Sequence, residues 1–375
     1  MPPINILIKP ASSACNLACN YCFYRDVADN RSHAFEGMLS LSRMREVIEA
    51  GMEYAEYICS FAFQGGEPTL AGLDFYQEVV RLQQLYARPG VEIHNAIQTN
   101  GTLIDEEWAQ FLGEHHFLVG LSLDGPAELH NQNRPDSQGK GSFQTVMRAV
   151  RLLQKYHVDF NILCVVTGRN ARSIEKIYRF YRKQGFRWLQ FIPCLEPLGQ
   201  NRGIAQYHLS PSAYGDCLVR LFDLWYDDLK HGEYISIRHL DNWISILLGG
   251  CPEACNMTGQ CSVQFVIERD GGVYPCDFYV LDAWRMGTLQ NSSLEELAAT
   301  ETARRFLREG AMRPAECSAC QWLPICNGGC RRDWEWTEDG HTHNYYCPAF
   351  KMFFEHTASR IAHIARCELR MRGRI

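Results

Sequence analysis

From Ile4 to about Pro197, short β-branched or aromatic runs alternate with stretches of helical spacing. Residues 4–8, 61–63, 92–98, 118–123, 160–166 and 188–192 read as strands, and apolar positions recur at helical period over 39–57, 73–86, 105–114, 143–156 and 172–184. Repeated β–α alternation predicts a parallel sheet curved into a partial (β/α)6 barrel, with right-handed crossovers that place the helices outside. In such folds sites gather at the carboxyl ends of the strands. After Pro197 the alternation stops, and an amphipathic stretch over 211–229 leads into a second region that opens near Cys251. There, runs at 264–268 and 273–279 flank Asp270-Gly271-Gly272, whose glycines permit a hairpin turn, and residues 349–371 read as a closing helix. The expected organisation is an α/β barrel domain over 1–230, a small cysteine-rich α+β domain over 231–347 and a C-terminal helix over 348–375.

The unusual residues fall just after the predicted strands: Cys15 to Cys22 after the first, Gln64-Gly65-Gly66-Glu67-Pro68 after the second, Thr99-Asn100-Gly101 after the third, Asp124-Gly125 after the fourth. That placement is consistent with one shared cavity.

Composition narrows the chemistry. The chain's 375 residues are 46% apolar, enough to bury a substantial core. A formal charge of −6 supplies no basic field for a phosphate backbone, so nucleic acid is not an expected partner. No apolar run approaches the roughly 20 residues that a bilayer span needs. The first ten residues carry neither a basic leader nor a small-residue cleavage site, so a cytoplasmic location is expected. In that setting the 17 cysteines remain thiols. They are clumped, three between 15 and 22 and nine between 251 and 347, as ligand sets are.

Cys15, Cys19 and Cys22 place three thiolates on a loop directly after a strand. A four-iron cluster held by three cysteines keeps one iron open to a cofactor, and this spacing is the radical S-adenosylmethionine fingerprint. Zinc is the competing reading, yet structural zinc closes its fourth position and no histidine lies in the loop. Gly65-Gly66-Glu67-Pro68 at the end of the next strand strengthens the reading, because glycines let backbone groups approach the methionine moiety of the cofactor. Residues 1 to about 200 thus resemble the radical S-adenosylmethionine superfamily. Cys255, Cys261, Cys276, Cys317, Cys320, Cys326, Cys330 and Cys347 number enough for two further clusters, or for two tetrahedral zinc sites. The run from Cys317 to Cys330, followed by Cys347, resembles the auxiliary-cluster domain called SPASM.

Cys276-Asp277-Phe278-Tyr279 narrows the family further. Together with Ser12-Ser13-Ala14-Cys15-Asn16, Gln98-Thr99-Asn100-Gly101 and Cys326-Asn327-Gly328-Gly329-Cys330-Arg331-Arg332, it makes the chain similar to an anaerobic sulfatase-maturating enzyme over nearly its whole length. The resemblance implies oxidation of an active-site cysteine or serine of a sulfatase to Cα-formylglycine without oxygen. It implies three [4Fe-4S] clusters and S-adenosyl-L-methionine as cofactors, a sulfatase polypeptide as substrate, and an electron donor such as flavodoxin or ferredoxin. Carried over residue by residue, it implies that Cys15, Cys19 and Cys22 hold the catalytic cluster and that Tyr21, Gly66, Ser122, Arg134 and Leu195 line the cofactor. Cys255, Cys261, Cys276 and Cys330 would form the first auxiliary set, and Cys317, Cys320, Cys326 and Cys347 the second. Cys251, four residues before Cys255, could exchange with it.

Formylglycine formation needs a radical to break the Cβ–H bond, then a proton acceptor and an electron acceptor nearby. Asp277, adjacent to Cys276, is the candidate base; as a bare sequence feature it could equally cap a turn. Gln64 and Gln98 could hydrogen-bond a substrate peptide or be ordinary strand-end residues. Two other readings stay open on the sequence: a SPASM-type maturase that makes thioether or carbon crosslinks in a ribosomal peptide, and a zinc- or cluster-carrying scaffold. Cys59, Cys164, Cys194, Cys217 and Cys367 lie in apolar surroundings and read as packing residues, and His341 and His343 as surface residues.

Overall fold

The computed structural model describes residues 4–34, 37–336 and 342–371; Met1 to Pro3 and His341 lie outside them. In chain order the strands are β1 (Ile4–Ile8), β2 (Ile58–Phe63), β3 (Glu92–Thr99), β4 (Leu118–Ser122), β5 (Phe160–Val166), β6 (Trp188–Pro193), β7 (Ser236–Ile237), β8 (Val266–Ile267), β9 (Gly272–Tyr274), β10 (Gly287–Thr288), β11 (Trp334–Trp336) and β12 (Thr342–Asn344). Packing divides the chain into two compact units, each assembled from separated segments.

The first unit comprises Met1–Leu123, His130–Asn161 and Ser262–Leu307. In it β1, β2, β3 and β4 pair in parallel, in that order, with Ile6 opposite Phe61 and Ala62 opposite Ala96. Helices Leu41–Tyr54, Leu73–Tyr86 and Glu106–Glu114 make the crossovers. Ser40 and Asp105 cap two of them, each side chain accepting a backbone N–H three residues on. The core is aliphatic and aromatic: Ile6, Ile8, Phe61, Phe63, Tyr76 and Phe117 are fully buried. On the free side of β1 the chain adds β8 in parallel, Leu7 opposite Val266, and β9 and β10 follow antiparallel. A segment some 260 residues downstream thereby joins the first strand, and this brings Cys276 and Asp277 toward the loops after β1 and β2.

The second unit comprises Asp124–Leu129, Ile162–Cys261 and Arg308–Ile375. Here β5, β6 and β7 pair in parallel, β11 and β12 form a separate hairpin, and helix Pro211–Lys230 packs against the long helix Cys347–Met371. Tyr214 and Phe222 of the former meet Tyr346 and Phe353 edge to face, at 5.0 Å and 5.9 Å.

The α/β fold with parallel strands and helical crossovers is the one expected. Three of the predicted segments coincide with strand β1, strand β5 and helix Leu73–Tyr86, and the others agree within a few residues. The hairpin predicted over 264–279 is present but shorter, because Pro275 supplies no N–H to continue β9. Two-residue β7, helix Arg238–Leu247 and the β11–β12 hairpin carried too little period to be seen in the sequence.

Candidate active site

After β1 the chain turns at residues 10–13 into the loop of Cys15, Cys19 and Cys22. This loop is pinned from two sides. Along one, Ala18 and Asn20 donate their N–H groups to the carbonyls of Pro135 and Asn133, at 2.8 Å and 3.1 Å. That pairing sets the Arg134 guanidinium 5.4 Å from the centre of the Tyr21 ring, so two expected cofactor-lining residues lie in one place. Along the other, the Glu67 N–H donates to the Ala14 carbonyl at 2.7 Å.

Gly66 makes that second contact possible. Its φ is +51°, and a Cβ there would stand 2.1 Å from the Ala14 oxygen. Within the described residues the glycine is therefore required first by the cysteine loop pressing against it.

Glu67 is buried, and its carboxylate collects the loop after β3. Oε1 accepts from the Thr69 hydroxyl at 2.6 Å and the Thr99 hydroxyl at 2.7 Å, and Oε2 accepts the Asn100 N–H at 2.7 Å. The Asn100 side-chain amide reaches on to the Cys15 sulfur at 3.8 Å and to the Asn16 side-chain Oδ1 at 2.9 Å. One carboxylate thus ties the second and third strand ends to the loop of the first. Asp124, expected at the same mouth, packs in the second unit, where Oδ1 accepts the Val165 N–H at 3.0 Å.

Asp277 opens a 3₁₀ turn over Asp277–Tyr279 and is buried. Its Oδ2 accepts from the Tyr24 hydroxyl at 2.7 Å and the Gln64 amide at 2.9 Å. Among the described residues Oδ1 accepts no hydrogen bond, and Lys9 Nζ pairs with it at 3.9 Å. Burial raises the Asp277 pKa above the ordinary carboxylate value, the Lys9 charge and the two hydrogen bonds opposing it. Burial, and then the Asp277 charge, push Tyr24 well above the usual phenol value, so it remains a donor. Lys9 is shared with fully buried Glu268, 3.4 Å away, which Arg31 also holds at 2.8 Å. Phe23 packs edge-on to Phe278 at 5.1 Å and joins the helix after Cys22 to the Asp277 turn. Gln64 therefore sits against the candidate base, its amide donating to Asp277. Gln98 lies half-buried near the end of β3 and Ser122 is buried at the end of β4.

Lys9 and Glu268 were not singled out in the sequence, and Tyr24 and Asn100 were given no role of their own there. Lys9 alone left a trace: a lysine that ends an apolar strand needs a buried counter-charge.

In the second unit Leu195 is half-buried in the segment after β6. Cys317, Cys320, Cys326 and Cys347 line one cavity. Burial, and then neighbouring negative charges that include those of Cys317 and Cys320, push Cys326 up to about 12 and Cys347 up to about 11. Four thiols gathered where their ionised forms repel one another fit a cationic iron–sulfur core, which would reverse the penalty. Cys255, Cys261 and Cys330 belong to the second unit and Cys276 to the first. Among the described residues no three His, Cys, Asp or Glu side chains converge on a single-ion position.

The comparisons with known proteins agree with this chemistry. Residues 10–181 match the family model of the radical SAM superfamily, and residues 255–321 match that of an iron-sulfur cluster-binding domain, SPASM. The chain is 47% identical to a cysteine-type anaerobic sulfatase-maturating enzyme of Clostridium perfringens, over 97% of this chain and 99% of that protein. It is 32% identical to a serine-type enzyme of Bacteroides thetaiotaomicron, over 95% of this chain and 90% of that protein. The solved structure described as native anSMEcpe with bound AdoMet and Cp18Cys peptide matches with a TM-score of 0.93 at 46% identity, over 97% of this chain and 99% of that one. A structure of Streptococcus suis SuiB shares the fold, with a TM-score of 0.62 at 17% identity, over 88% of this chain and 73% of that one. These likenesses favour sulfatase maturation over peptide crosslinking, and iron over zinc. The chain belongs to the anaerobic sulfatase-maturating enzymes of the radical SAM superfamily.

Proposed function

We propose that this chain oxidises the target cysteine of a sulfatase to Cα-formylglycine with Asp277 as proton acceptor. Oxidation of a cysteine or serine to that residue without oxygen is the activity of its family. The open-iron cluster and S-adenosylmethionine supply, when bound, the 5′-deoxyadenosyl radical that takes a Cβ hydrogen, and the auxiliary clusters supply one-electron acceptors. Cys15, Cys19 and Cys22 would hold the first cluster, Cys255, Cys261, Cys276 and Cys330 the second, and Cys317, Cys320, Cys326 and Cys347 the third. Tyr21, Gly66, Ser122, Arg134 and Leu195 would line the cofactor, and Gln98 the peptide.

The observation that carries the base assignment is the open Oδ1 of buried Asp277. Tyr24 and Gln64 donate to Oδ2, so the side chain is oriented while Oδ1 is left to accept a proton. The raised pKa makes the carboxylate a better acceptor than an exposed aspartate. Loss of one hydrogen atom from Cβ, one proton from the thiol and one electron leaves a thioaldehyde. Water then replaces its sulfur, releasing hydrogen sulfide and leaving the aldehyde.

The preference for cysteine rests on the relatives: cysteine-type enzymes of C. perfringens and C. novyi are 47% and 45% identical to this chain, serine-type enzymes 32% to 34%. The partners are then a sulfatase polypeptide and a low-potential one-electron donor such as flavodoxin or ferredoxin. No described helix is long and apolar enough to cross a membrane, and the reading places the enzyme in the cytoplasm. The test is mass spectrometry of paired cysteine- and serine-containing sulfatase peptides after anaerobic incubation with reductant and S-adenosylmethionine. The cysteine peptide should lose its thiol and gain an aldehyde; cofactor cleavage without aldehyde in either peptide would overturn the reading.

A further inference from the structure

The cavity formed by Cys317, Cys320, Cys326 and Cys347 is also lined by Trp322 and Lys351. The Trp322 Nε1 is buried and has no hydrogen-bond acceptor among the described residues. An indole nitrogen can only donate. Leaving such a group unpaired forfeits its hydrogen bond to water with nothing in return, so a buried orphan of this kind points to an acceptor that belongs there.

The surroundings say which acceptor. Trp322 is held firmly: its ring stacks on Phe354 at 5.7 Å, and its carbonyl accepts the Cys326 N–H at 2.8 Å. The indole and one of the thiolates are therefore fixed by the same short turn, just before and at the end of helix Leu323–Cys326. Lys351 follows Cys347 by one helical turn and feels the charges of Cys347, Cys320 and Cys317. Glu316, the acidic group of the lining, is engaged 2.6 Å from His343 Nδ1. In a cavity whose remaining polar lining is largely thiol, the partner that an indole N–H lacks is sulfur.

We propose that the Trp322 N–H donates a hydrogen bond to a sulfur of the four-iron cluster held by Cys317, Cys320, Cys326 and Cys347, and that it raises this cluster's reduction potential. The inference rests on that ligand assignment. A donor at sulfur stabilises the extra negative charge of the reduced cluster more than the oxidised one, so it favours uptake of an electron. Trp322 is thus a positioning and tuning residue for the electron acceptor, in a different unit from Asp277.

The test is an EPR-monitored redox titration of Trp322→Phe in a Cys15, Cys19 and Cys22→Ala background, which leaves only the two auxiliary clusters. Phenylalanine keeps the stacking partner for Phe354 and removes the donor. One auxiliary signal should move to a more negative potential and the other should stay. Unchanged potentials with iron fully loaded would overturn the proposal. A second measurement needs no variant at this position: with nitrogen-15 indole label, the reduced cluster should show a hyperfine coupling to one tryptophan nitrogen, and its absence would refute the hydrogen bond even if Trp322→Phe failed to load iron. Failure of the ligand assignment itself reads differently, since Cys317→Ala with Cys320→Ala would then leave the iron content unchanged.

Discussion

The Asp277 carboxylate and the Tyr24 hydroxyl lie 2.7 Å apart, although 253 positions separate them in the chain. Tyr24 follows Cys22 by two residues, and Asp277 follows Cys276, a proposed auxiliary-cluster ligand, by one. The hydrogen bond therefore places the proposed base against the loop of Cys15, Cys19 and Cys22.

Replacing Asp277 by asparagine keeps the size and the hydrogen-bond acceptor but removes proton uptake at neutral pH. The variant should bind its clusters and cleave S-adenosylmethionine, yet form formylglycine about 10² to 10⁴ times more slowly. Tyr24→Phe, which removes only one orienting donor, should cost less. Peptide mass spectrometry with the cluster absorbance as control reads both. Aldehyde formation near the normal rate in Asp277→Asn, with clusters intact, would return Asp277 to a turn-capping role.

Changing Cys15, Cys19 and Cys22 together to alanine should abolish cofactor cleavage and lower the iron content by about a third, from on the order of 12 irons. Retained cleavage would remove the catalytic loop from its assignment.

Gly66→Ala should be far more damaging than an ordinary glycine substitution. The added methyl would meet the Ala14 carbonyl at 2.1 Å in a backbone of positive φ, and such clashes and strain cost about 1–3 kcal/mol or more. The expected outcome is a lower melting temperature and poor loading of the first cluster, read by iron content. Normal values of both would show that the cysteine loop can retreat from β2.

His239 gives a pH signature. Burial lowers its pKa from 6.5 to about 4, and its Nε2 is buried beside Phe191 and Trp243 with no hydrogen-bond partner among the described residues. A folded-state pKa below the unfolded one means that the unfolded chain binds more protons between the two values. The stability that this neutral imidazole contributes is full above the unfolded pKa and is lost as the pH falls toward the folded one. From pH 7.5 to pH 5 the loss should be about 2 kcal/mol. His239→Phe should lack it, so the stability of the unaltered protein relative to the variant, from anaerobic unfolding curves, should fall by about that amount over this range; a constant difference would refute the assignment.

Strands and crossovers of the first half were legible because alternating runs and helical period repeat there, and β1 and β5 were located to the residue. The cysteine sets were legible because ligands cluster. What the sequence hid was pairing at long range. Glu268 and Arg31 look like surface charges until β8 joins β1 and buries them with Lys9. Gln64 reads either as a substrate-backbone contact or as an ordinary strand-end residue, and nothing in the sequence shows that its amide donates to Asp277. Trp322 carries no pattern at all, since only burial reveals that its N–H lacks an acceptor.

The parallel pairing of Leu7 with Val266 bears on how the enzyme is made. During synthesis the first strand emerges long before its neighbour exists, and closing so large a loop is slow and entropically costly. The cysteine loop after β1 can thus be complete while Asp277, the proposed proton acceptor, has yet to be synthesised. A nascent chain in that state could at most begin radical chemistry without the means to finish it. Assembly of β8 onto β1 is the event that brings Asp277 to that loop.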